Sequence, residues 1–440
     1  MAMPTSVWHE YGFRGNPYST DPIEVSAAGR ELLIGREQEL ALIGRHLTGG
    51  ASVVALEGDF GVGKTSLAAV AAFDAAQWSK EGGPLFLAMD TRLSLRPEDT
   101  RESFERRVVR AVAHVLVANA GSLKSGGRPL DGVEGVKRWL QAPEAGGWNA
   151  SLGANVGGVA GGNAGFGKAR TPNTSTGFAE LGIAEIVDGW LAQLFPNRDS
   201  GGVLCFLDNL EELNDSGTAL NVMEPLRDPL FKRPGLRWII SGAQGMVRAA
   251  YASPKMAGVF LNPIDVRPLP HKLVPQVIFA RMKALQDQDD AVAPVSMTAF
   301  ANLYRSIGQN LRYALNLSER YAFDSDPDEL RGISEADRDL RFHESVLREA
   351  DLVYAAQARD LGAADWKVFD HLLRSKAGSC SPSEYKDFGY AQMPPLLSRV
   401  RKLTEAHLVS YQIDEADQRR RTISVTDHGR LAYYRHVNDA

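Results

Sequence analysis

Residues 58–66 read GDFGVGKTS and fit the spacing G-x-x-x-x-G-K-[ST] at Gly58, Gly63, Lys64 and Thr65. Each residue type in this pattern meets a need of phosphate binding. Glycines let main-chain N–H groups turn inward around phosphate oxygens. Asp59, Phe60, Gly61 and Val62 complete the loop, and Ser66 follows it. A helix opening at this point adds partial positive charge. Lys64 then reaches the β- and γ-phosphates, and the Thr65 hydroxyl ligates magnesium. The expected ligands are ATP or ADP and Mg2+.

Magnesium needs a second oxygen ligand. VLCFLDNLEEL at 203–213 supplies one where an apolar run ends in Asp208. Asn209 follows. A neutral amide can orient a water or sense a γ-phosphate, but it is a poor general base. Glu211 and Glu212 are the nearest carboxylates; either Glu211 is the base or both lie solvated on the following turn. Ser241 ends another apolar run in WIISG, within reach of a γ-phosphate or attacking water. Arg312, in GQNLRYAL, is placed to reach phosphates from a helical region beyond.

These residues need elements to position them. SVVALEG (52–58) is a β-branched run ending in glycine, which suits a buried parallel strand. PLFLAMD (84–90), VLCFLD (203–208) and LRWIISG (236–242) read as further strands. Helical spacing begins at LIGREQELALIGRHL and returns after the phosphate loop. Strands alternating with helices imply a parallel α/β sheet. Residues 1–35 read as an irregular arm. The stretch 145–168 is glycine-rich and uncharged before Lys168. It is either a flexible insertion or a hairpin able to contact a partner.

From about 264 the strands stop and three helices follow, then an acidic loop-like stretch at 324–339. The last segment begins with apolar residues at helical spacing, Trp366, Phe369, Leu372 and Leu373. QMPPLLSRVRKLTEAHL has one face of Leu396, Val400, Leu403 and His407. Its other face carries Ser398, Arg401, Lys402 and Glu405, with Arg399 beside them. VSYQI, a charged turn and TISV read as two strands before a final helix.

These pieces together resemble the AAA+ ATPases, most closely the origin-recognition and initiator-like branch and related signal-transduction ATPases. LIGREQEL resembles the box ahead of the first strand, which implies Ile34 and Gly35 near the adenine. GDFGVGKTS and VLCFLDN resemble its Walker A and Walker B motifs, WIISG its sensor-1 strand and GQNLRYAL its sensor-2 helix. The implied fold is α/β: a parallel sheet of order 5-1-4-3-2 with a helical lid. Arg248 lies where the family supplies an arginine to a neighbouring subunit. The end of the chain resembles the winged helix-turn-helix of MarR-type regulators. That implies double-stranded DNA as a partner, with Ser398, Arg399, Arg401 and Lys402 on a recognition helix and Arg419, Arg420 and Arg421 on a wing.

The expected division is an arm at 1–35, an ATPase core at 36–263, a lid and linker at 264–345 and a winged helix at 346–440. The formal net charge of −5 argues against a uniformly basic surface, so nucleic-acid contacts must come from local patches. Two distant cysteines, Cys205 and Cys380, make neither a disulfide framework nor a metal site. No apolar run approaches a membrane span, and the N-terminus is not a signal peptide, so a cytoplasmic protein without membrane contact is expected. The functional expectation is an ATP-binding, slowly hydrolysing switch that controls DNA binding. The alternative is an ATP-dependent homo-oligomer in signalling or defence, whose winged helix docks a protein partner.

Overall fold

The computed structural model describes residues 6–141, 178–210, 216–243, 246–376, 378–413 and 421–438. The glycine-rich stretch, Glu211, Glu212, Arg419 and Arg420 lie outside the described residues.

Five strands form the main sheet: β1 (Val53–Glu57), β2 (Leu85–Leu93), β3 (Gly201–Leu207), β4 (Leu236–Gly242) and β5 (Ile264–Asp265). Their order is β2-β3-β4-β1-β5, all parallel. This is the expected 5-1-4-3-2 order. β1, β3 and β4 are buried along their whole length, which is why they read as continuous apolar runs rather than alternating ones. The strands do not stop at 264: β5 is too short to show a pattern, and pairing with β1 at Leu56 and Glu57 defines it. Trp238 sits in the centre of β4, paired with Val53 and Cys205, and its indole Nε1 donates to Leu230 O at 3.0 Å.

A second core lies beyond β5, around the helices Val274–Leu285, Met297–Ser306, Leu311–Asp324 and Glu335–Val353. The arm is part of it. It is not wholly irregular, since Val7–Glu10 and Ala27–Leu32 are short helices. Trp8, Tyr11, Phe13 and Tyr18 are buried among the lid residues. Tyr11 and Tyr18 donate to Ala322 O at 3.0 Å and Val295 O at 2.8 Å. The acidic stretch also departs from expectation, forming Pro327–Arg331 and the start of Glu335–Val353. Asp326 and Ser334 cap these helices, and acidic residues in the first turns favour them electrostatically.

The third core belongs to the C-terminal unit. Helix Ala363–Ser375 packs on helix Met393–Glu405 beside an antiparallel sheet of β6 (Ser379–Cys380), β8 (Arg421–Val425) and β7 (Val409–Ile413). The last helix, Asp427–Asn438, closes it. Trp366, Phe369, Leu396, Val400 and Leu403 are buried together. His407 is not on their face; it is exposed and ends the helix with φ 55°. Three helices with a two-stranded wing and a short third strand make a winged helix-turn-helix.

Candidate functional site

The phosphate loop leaves β1 and enters helix Lys64–Lys80. Gly58 has no room for a side chain: a Cβ there would lie 2.4 Å from Val266 O. Gly63 is different, with φ 94° and open space on its inner side. Its positive φ lets the chain turn into the helix, and its bare face leaves room for a phosphate. Lys64 is buried and donates from Nζ to Gly58 O at 3.0 Å and Asp59 O at 3.1 Å, so its ammonium lies within the loop. Val62 is buried against Gly58, while the Phe60 ring is exposed with the Lys64 ammonium 5.8 Å from its centroid. Burial pushes the Asp59 carboxyl up to about 6, with Arg430 and Lys64 opposing.

Asp208 stands at the end of β3, next to the loop. Thr65 Oγ1 donates to its Oδ2 at 2.7 Å, and the Ser241 hydroxyl donates to its Oδ1. Strand register causes this meeting, since β3 and β4 end together beside β1. Two hard oxygen donors on adjacent elements at the mouth of the loop fit a magnesium ion, and Thr65 and Asp208 would hold it. Asn209 is exposed and turns the chain sharply with φ 60°, a conformation asparagine tolerates better than glutamate.

The lid reaches the loop from its other side. A Cβ on Gly61 would lie 2.6 Å from Asn310 Oδ1 and 3.0 Å from Arg312 Cβ. Asn310 Nδ2 donates to Phe60 O at 3.3 Å. Arg312 is exposed and lines the same cleft as Gly58, Asp59 and Gly61. Gly35 has φ 72°, and a Cβ there would lie 2.5 Å from Leu273 Cδ1 of the lid. Ile34 beside it is half-buried. The Ser66 hydroxyl accepts from Ile23 N at 3.1 Å, tying the arm to the loop's helix.

Arg248 is engaged within its own chain. Its Nε donates to Glu57 Oε2 at 2.7 Å, and Glu57 is buried at the end of β1. A role toward a neighbouring subunit would cost that buried carboxylate its bond from the Arg248 guanidinium.

In the winged helix, Ser398, Arg401 and Lys402 are exposed on helix Met393–Glu405. Arg399 is half-buried and donates to Asp365 Oδ1 at 3.1 Å, and Lys402 Nζ lies 4.0 Å from Asp365 Oδ2. Asp365 is buried and also caps its own helix through Gly362 N at 3.1 Å. Arg399 therefore holds two helices together. Arg421 donates to the Tyr411 hydroxyl at 3.2 Å and lines the cleft that contains the phosphate loop. Among the described residues no helix is long and apolar enough to cross a membrane.

The loop follows the first strand of a 5-1-4-3-2 sheet, the acidic strand lies two places away, and a helical lid carries an arginine to the loop. This is the strand order and lid placement that the resemblance to the AAA+ ATPases implies.

No family model and no curated protein match the sequence. Among solved structures, the chain is similar to the Aeropyrum pernix ORC1 protein in complex with DNA, at 14% identity over 96% of this chain and 97% of that one, with a TM-score of 0.43. It is similar to the Walker-type ATPase PABY2304 of Pyrococcus abyssi at 11% identity, over 95% and 99% of the two chains, with a TM-score of 0.41. For Drosophila ORC bound to DNA the values are 12%, 94%, 92% and 0.37. These likenesses are distant, and the reading of the site rests on its own residues.

Four residues that brace the site carry no assigned role in the sequence patterns. Arg36 is buried and donates to Val62 O at 2.7 Å and to Glu39 Oε1 at 2.9 Å, bracing the loop. The others are Glu57, Asn310 and Arg430. The sequence marks Arg36 weakly, as a charge just after the Gly35 turn.

Proposed function

We propose that this protein is an ATP-binding switch with slow hydrolysis, which controls DNA binding through its C-terminal winged helix. The observation that carries the reading is Thr65 and Ser241 both donating to Asp208 beside the Lys64 loop. Magnesium held by Thr65 and Asp208 would supply charge neutralisation for a bound phosphate. The chain's own residues do the rest. Lys64 binds phosphate, Asp208 and Thr65 fix the metal's position, Ser241 orients Asp208, and Arg312 follows lid position.

Slow turnover follows from Asn209, which cannot take a proton from water. Glu211 is the base we assign within the chain, and the alternative is a residue supplied by a second copy. Turnover above about 10 s⁻¹, the median for enzymes, would refute this part.

The deciding experiment measures binding to double-stranded DNA with ATP, with ADP and without nucleotide, for the native chain and Lys64→Ala. Nucleotide-dependent affinity in the native chain that is absent in Lys64→Ala is expected. In Arg419→Ala/Arg420→Ala/Arg421→Ala the salt dependence should flatten by about three ion releases. Unchanged affinity and slope in that variant would sink the DNA assignment. One observation favours the second reading, a winged helix that docks protein: Arg399 is committed to Asp365 rather than to a groove. Self-association on adding ATP without DNA, by light scattering, would support that reading.

A further inference from the structure

The turn at residues 307–310, between two lid helices, is gripped from both sides. From the C-terminal unit, Arg430 Nη1 donates to Ile307 O at 2.7 Å and Gly308 O at 3.2 Å. Leu373 closes on the same turn; a Cβ on Gly308 would lie 2.2 Å from its Cδ1. From the other side Asn310 donates to Phe60 O in the phosphate loop at 3.3 Å, while its Oδ1 caps the next helix through Tyr313 N at 2.9 Å. Gly308 and Gln309 hold φ of 77° and 59°. A left-handed glutamine costs roughly 1 kcal/mol, so the surrounding contacts must hold it there.

Arg430 is unusual in its own right. It is 6% exposed, and no carboxylate lies within ion-pair distance of it among the described residues. A guanidinium keeps its charge when buried. Carbonyl oxygens of the turn compensate it, and so do two more distant carboxylates, Asp427 on its own helix and Asp59 in the phosphate loop. A cation of the winged helix thus faces the loop where phosphate charge would gather.

We propose that Arg430 is a positioning residue that couples occupancy of the phosphate loop to docking of the winged helix, through the turn at 307–310. This rests on the ATP reading above. Phosphates add negative charge beside Asp59 and so favour the docked Arg430. By linkage, the docked Arg430 tightens nucleotide binding by the same factor.

The test uses the full chain, MgATP titrations and hydrogen exchange of helix Asp427–Asn438. Arg430→Gln should weaken ATP binding by about tenfold, within the usual range of couplings. In the native chain MgATP should slow exchange in the last helix. Arg430→Gln and Asn310→Ala should both erase that slowing. Asn310→Ala lies outside the C-terminal core, so it carries the test even if Arg430→Gln unfolds that unit. Exchange in the native last helix that ignores ATP overturns the coupling, and so does slowing that persists in Asn310→Ala. Those results leave ATP binding intact, whereas a native chain that does not bind ATP refutes the functional reading itself.

Discussion

Asp59→Asn removes a negative charge from the loop proposed to hold phosphates. Burial pushes the Asp59 carboxyl from 3.8 up to about 6, against the pull of Arg430 and Lys64 and with a small push from Asp265. That rise corresponds to about 3 kcal/mol. The folded protein takes up a proton as pH falls through about 6, the unfolded chain only near 3.8. The buried charge therefore destabilises the fold fully above pH 6, and progressively less as pH falls from 6 toward 3.8. Asparagine keeps the shape without the charge. It also keeps the bond from Lys64, which goes to the main-chain oxygen of Asp59 at 3.1 Å. The attraction of Arg430 is already included in that net rise, so its loss needs no separate correction. Asp59→Asn should thus be more stable than the native chain by about 1–3 kcal/mol at pH 7.5. Urea unfolding followed by tryptophan fluorescence at pH 7.5 and 4.5 measures this. The advantage should shrink at the lower pH, and ATP should bind more tightly to the variant at pH 7.5. Equal stability at pH 7.5, or an advantage that grows on acidification, refutes the account of a destabilising buried charge.

Other consequences are quicker to state. In the native chain EDTA should weaken ATP binding, whereas in Asp208→Ala titrations with magnesium and with EDTA should coincide. Arg36→Met should lose about 2–4 kcal/mol of stability and weaken ATP binding, because Val62 O and Glu39 lose a buried charged partner; thermal melts and ATP titration read both. Arg399→Ala should lower stability by about 1–2 kcal/mol by leaving buried Asp365 short of a partner. Arg401→Ala should stay within about 0.5 kcal/mol and act only on DNA affinity.

The phosphate loop was legible because backbone conformation dictates its residues locally: glycine where φ is positive, lysine and threonine one and two places on. The strands were legible because burial on both faces leaves an uninterrupted apolar run. Arg36, Glu57, Asn310 and Arg430 were not, since their roles come from partners 26, 191, 250 and 123 residues away. No local pattern marks such meetings. Residues 324–339 hid their helices because acidic composition resembles a loop, and only the caps Asp326 and Ser334 distinguish the two. β5 was invisible because two residues cannot display a period. Trp8 and Tyr11 lie one turn apart, on and at the end of a helix of only four residues, too short to show a period, and Phe13 and Tyr18 follow an irregular path shaped by the core that receives them.

That arm also sets a timetable for synthesis. Tyr11 and Tyr18 leave the ribosome long before the carbonyls that receive their hydroxyls, which lie 311 and 277 residues later. At about 5–20 residues per second, those aromatics wait roughly 15–60 s for their partners. Among the described residues the parallel sheet has all its strands by residue 265 and can form in that interval. The lid core therefore closes on aromatics made well before it, and the C-terminal core is completed later still.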